Sequence, residues 1–131
     1  MSGTLPKALR AFVPAKDFAA SKRFYQDLGF ELVGDSGQTV ALALGDTSFL
    51  LQDFYRPGFA ENFMMQMVVT DIEDWWRRIE ALDLAARHDV KPPLAPQQMP
   101  WNARVIFLTD PSGVLWHITE RVEQTGEAAP A

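Results

Sequence analysis

The chain has 131 residues, 47% hydrophobic and 22% charged, enough for one domain with one core. It contains no cysteine, which excludes disulfides, thiolate nucleophiles and Cys-ligated zinc or iron–sulfur sites. A net charge of −5 argues against a nucleic-acid partner; it suits solubility first and a cationic ligand second.

In chain order, 8–14 (ALRAFVP) reads as a first strand. Asp17 is placed to cap a helix in which Phe18, Ser21, Tyr25 and Leu28 recur at helical spacing, and Gly29 sits where a C-cap glycine belongs. Strands follow at 30–33, 38–44 and 47–54, the last two joined by a tight turn at Gly45-Asp46, and 55–61 reads as a loop. An apolar strand at 62–69 then leads to a capping box, Thr70 with Glu73, with Asp71 as the alternative cap. Ile72, Trp75, Ile79 and Leu82 trace the face of a second helix. Residues 84–90 are a candidate strand. The stretch KPPLAPQQMP (91–100) has four prolines and reads as a covering loop. A strand at 103–109, a DPSG turn at 110–113 and a last strand at 114–120 complete the pattern.

The N-terminus lacks the apolar core of a signal peptide, and no apolar run reaches the roughly 20 residues that span a bilayer. The expected compartment is the cytoplasm, with no membrane partner. The expected organisation is a single domain over 1–124, with one module at about 7–55, a second at about 62–121, and a flexible tail at 125–131. The halves share element order, an Asp cap each (Asp17 and Asp71) and a closing hairpin each, so the chain reads as a duplication with its working surface between the copies.

Two stretches, VPAKDFAASKRFYQDLGFELV (13–33) and RVIFLTDPSGVLWHITE (104–120), resemble the vicinal oxygen chelate superfamily. This is the group of glyoxalase I, extradiol dioxygenases and bleomycin-resistance proteins. The first is similar to the family's strand–Asp–helix ending in FY-x-x-LGF, the second to its final DP-x-G hairpin. The resemblance implies an α+β fold: two βαβββ modules, an open partial barrel, helices outside and ligand on the concave side. It does not fix the reaction.

Metal-dependent members carry His or Glu at four interior positions, which the resemblance maps onto Arg10, Gln52, Met64 and His117. Only His117 is a competent first-row ligand, whereas a catalytic site needs about three. No cofactor and no metal are therefore expected. Members without ligands are binding proteins, usually homodimers with grooves formed by both subunits.

By strand alternation, Arg10, Phe12, Gln52, Met64, Gln66 and His117 are expected to face inward, and Trp116 to face a helix. His117 is either a ligand contact and proton carrier or a structural histidine. Arg10 either pairs with an anionic group or snorkels to solvent. Trp101, after Pro100, either walls the pocket or does not, and Arg104 is a further orienting group. The candidate ligand-binding set is Arg10, Phe12, Gln52, Met64, Gln66, Trp101, Arg104 and His117. Asp17, Asp71 and Asp110 sit at caps and turns and are read as structural.

The function expected is that of a metal-free protein sequestering a small apolar or cationic ligand, for example an antibiotic. The alternatives are a metal-dependent glyoxalase- or dioxygenase-type enzyme and metal-free acid–base catalysis through His117.

Overall fold

The computed structural model describes residues 2–121. The tail expected at 125–131 lies outside them. The duplication is visible in the strand order. Strands β1 (Phe12–Pro14), β2 (Glu31–Asp35), β3 (Thr39–Leu44) and β4 (Thr47–Gln52) form one sheet in the order β1-β4-β3-β2. Strands β5 (Met64–Val69), β6 (Leu94–Met99), β7 (Ala103–Thr109) and β8 (Leu115–Glu120) form the other in the order β5-β8-β7-β6. Each sheet pairs its first and last strands in parallel and the rest antiparallel. No strand of one sheet pairs with a strand of the other, so the eight strands do not close a barrel.

Helix α1 (Phe18–Leu28) starts where Asp17 accepts a hydrogen bond from the Ala20 amide. It stops at Gly29, whose φ of 124° a side chain would strain. It buries Ser21, Phe24, Tyr25 and Leu28. Helix α3 (Ile72–Leu82) is capped by Asp71, which accepts from the Asp74 amide. The expected capping box with Glu73 does not form; Glu73 is held instead by Arg104 at 2.6 Å.

Three segments depart from the sequence-based expectation. Residues 57–61 of the expected loop form a short helix, α2 (Pro57–Glu61), with Pro57 in its first turn, where a missing N–H costs nothing. Residues 84–88 form α4 (Leu84–His88) rather than a strand; Asp83 turns left-handed (φ 52°) between α3 and α4, and Leu84 is buried. The Pro-rich stretch contains β6. A strand is tolerated there because β6 is the edge of its sheet, and Pro96 falls at a register shift between Leu94 and Gln97, where no ladder hydrogen bond is lost.

The modules meet through their helix-facing sides. Tyr25, Phe30, Phe49 and Trp116 form a cluster whose ring centroids lie 5.0–5.9 Å apart. Such pairs contribute about 0.5–1.5 kcal/mol each beyond area burial. The Trp116 indole N–H donates to the Tyr25 hydroxyl (2.9 Å), which donates to Asp110 (2.5 Å). The other Asp110 oxygen accepts from the Ser112 and Val114 amides. Burial raises the Asp110 pKa, and its hydrogen bonds oppose that rise; burial also raises the Tyr25 pKa well above its usual value. At the far end of the joint, His88 bonds Asp27 of α1 at 2.8 Å and packs edge-on against Phe24.

Candidate functional site

Alternation along β5 turns Met65, Met67 and Val69 toward the helices and leaves Met64, Gln66 and Val68 on the open side of the sheet. In β8, Trp116 and Ile118 are buried against the helices, and Leu115, His117 and Thr119 face the open side. The ladder places His117 beside Gln66 and opposite Phe107. The His117 and Phe107 rings meet edge to face, with centroids 4.8 Å apart. Partial burial lowers the His117 pKa, so the imidazole is neutral at neutral pH. Neither ring nitrogen has a hydrogen-bond partner among the described residues. None of the buried polar side-chain atoms there lacks a partner, so these nitrogens remain open to solvent. The open face thus offers one neutral, accessible imidazole beside a carboxamide, surrounded by Met64, Val68, Leu115 and Phe107.

The open face of the other sheet carries Phe12 beside Leu50 and Ala41, and Gln52 between Pro14 and Thr39. Phe12 is 51% exposed and Met64 56%, high values for large apolar side chains on sheet faces. Of the expected site residues, Phe12 and Gln52 fall on one open face, and Met64, Gln66 and His117 on the other. Both faces point away from the aromatic joint, so within one chain neither serves as the other's opposite wall.

Three residues are not brought in. Arg10 precedes β1 and is exposed, because the first strand is only three residues long rather than the expected seven; its neighbour Leu9 is 97% exposed. Trp101 stands in the turn between β6 and β7 with 58% of its surface exposed, and so does not wall a pocket within the chain. Arg104 points to the helix side of β7. Its guanidinium donates to both Glu120 oxygens (2.9 and 3.1 Å) and to Glu73 (2.6 Å), and these carboxylates raise its pKa further. Its residue number has the opposite parity from Phe107 along β7, which is why it falls on the wrong face. Counting by twos through 103–109 would have removed Arg104 and added Phe107, the contact that sequence reasoning missed.

The metal positions implied by the resemblance do not make a metal site. Gln52 and Met64 lie on different sheets, Arg10 lies off the sheet, and His117 supplies the one imidazole. Among the described residues, no three His, Asp or Glu side chains gather to hold an ion.

A cleft of about 640 Å³ wraps the free edge of β5. Thr47, Ser48 and Phe49 of β4 form one side and Met65–Val69 the other, with Trp75 and Trp116 at its base; of the expected site residues, Gln66 alone borders it.

Residues 7–118 match the family model described as the Glyoxalase/Bleomycin resistance protein/Dioxygenase superfamily. A bleomycin resistance protein of Klebsiella pneumoniae is 26% identical over 112 residues, covering 82% of this chain and 87% of that protein. The crystal structure of a bleomycin-binding protein complexed with bleomycin aligns with TM-score 0.73 at 22% identity, covering 87% of this chain and 98% of that one. A lactoylglutathione lyase from Agrobacterium tumefaciens aligns with TM-score 0.64 at 23% identity, covering 88% and 95%. A binder and an enzyme share this architecture, so the structural likeness establishes the fold and not the reaction. The chain belongs to the glyoxalase/bleomycin resistance protein/dioxygenase superfamily.

Proposed function

We propose that this chain is a metal-free binding protein that sequesters a small molecule of antibiotic type on its open sheet faces, acting as a cytoplasmic homodimer. The observation that carries the reading is the module-two face. It has an accessible apolar surface with a neutral imidazole beside a carboxamide and, among the described residues, no set of ligands for a Lewis acid. Chelate chemistry on vicinal oxygens needs such an ion. Binding needs only apolar area and a few polar groups to orient the guest. The curated relative named for bleomycin resistance supports the same side. No helix among the described residues is long and apolar enough to cross a membrane.

In this reading His117, Gln66 and Met64 of one copy form one wall of the groove, and Phe12 and Gln52 of the second copy form the other. The exposed apolar faces, which find no cover within a chain, support a second copy there. The test has two parts. Sedimentation at micromolar concentration should give twice the chain mass. Elemental analysis of purified protein should find no stoichiometric transition metal, and bleomycin or another aromatic antibiotic should bind saturably with loss of affinity in His117→Ala. Stoichiometric metal together with a turnover that chelation abolishes would replace this reading with the enzyme.

A further inference from the structure

We propose that the ligand is an uncharged, flat aromatic molecule and not a cationic one; this rests on the binding reading above and names its ligand class. The net charge of −5 suggests the opposite when taken over the whole chain. The register shows where that charge is not. On the open face of the β5–β8 sheet, every position carries an apolar, hydroxyl, amide or imidazole group. The neighbouring carboxylates Glu120, at the end of β8, and Glu73, on α3, are turned to the helix side and both pair there with Arg104. The open face of the β1–β4 sheet has one charge, Glu31, on its outermost strand. None of the residues lining the cleft at the β5 edge is charged either.

A cation bound here would leave water without a counter-charge, a loss that an apolar site does not make good. A neutral ring system meets what the face offers. It can lie against Met64, Leu115 and Val68, and meet the free edge of the His117–Phe107 pair. Its carbonyl can accept from the Gln66 carboxamide and from the N–H of neutral His117, and its N–H can donate to either group.

The experiment uses two tricyclic dyes of matched shape, neutral acridone and cationic proflavine, titrated by fluorescence at neutral pH and at two salt concentrations. Acridone should bind at least about tenfold more tightly than proflavine, with no salt dependence. His117→Ala and Gln66→Leu should each weaken acridone. Gln66→Glu should reverse the preference and introduce a salt dependence. Proflavine binding as tightly as acridone to the unaltered protein would overturn the ligand class while leaving the binding reading intact. Acridone binding that none of the three substitutions changes would overturn the location. Neither dye binding would overturn the ligand class, and if bleomycin also failed to bind, the binding reading itself would fall.

Discussion

The two faces of the β5–β8 sheet are made by the same four strands, yet they are finished differently. On the helix side, Trp116 reaches Tyr25, Tyr25 reaches Asp110, and Arg104 is closed by Glu73 and Glu120. On the open side, one residue away along β8, His117 has a ring neighbour and no hydrogen-bond partner among the described residues. One face pairs its polar groups, across the modules at Trp116, Tyr25 and Asp110 and within the second module at Arg104. The other holds its polar groups in reserve among apolar ones. Stability and binding are therefore separable by face, and substitutions can test that separation.

The largest effect is expected from Trp116→Ala. It removes the indole at the centre of the joint and should cost about 3–5 kcal/mol in denaturant unfolding. Tyr25→Phe keeps the ring but leaves one Asp110 oxygen, Oδ2, and the Trp116 N–H without a partner, so about 1–3 kcal/mol should be lost. A loss below about 0.5 kcal/mol would mean that ring packing alone joins the modules. Asp71→Ala removes the α3 cap and should cost about 1 kcal/mol, with acridone affinity unchanged. Arg104→Gln breaks ion pairs that are partly open to water, so at most about 1 kcal/mol should be lost, again with no change in binding. A drop in dye affinity in this last variant would put Arg104 back among the ligand contacts.

The smallest effect concerns pH. The His117 pKa is lowered in the fold from an ordinary 6.5, so between the two values the unfolded chain binds the extra proton. Folding stability contributed by the neutral ring is complete above 6.5 and declines as pH falls through the lowered value. Compared with the unaltered protein, His117→Gln should show a flatter stability profile on the acid side. A profile with the same slope would assign the acid sensitivity to other groups.

Much of this was legible in the sequence. Period-two alternation put Met64, Gln66 and His117 on one face and Trp116 on the other, because side-chain direction in a strand is set by the backbone itself. The Asp17 and Asp71 caps were equally local. The same rule misassigned Arg104 only because it was not applied to that strand. Arg10 was lost for a different reason: how far a strand extends depends on its neighbour, and β1 pairs with β4 for only three residues. The β6 strand was hidden because four prolines forbid a central strand but not an edge, and edge position is a property of the sheet.

The sequence by itself determined the element order of the first half, the Asp17 and Asp71 caps, and the faces of β5 and β8, since these follow from local spacing and residue chemistry. Only the tertiary structure decided how the halves join. It put the aromatic joint on the helix side, turned both open faces away from it, and drew Glu73, Arg104 and Glu120 into one cluster. Those outcomes depend on contacts between residues distant along the chain, where packing and charge pairing, rather than local preference, select the arrangement.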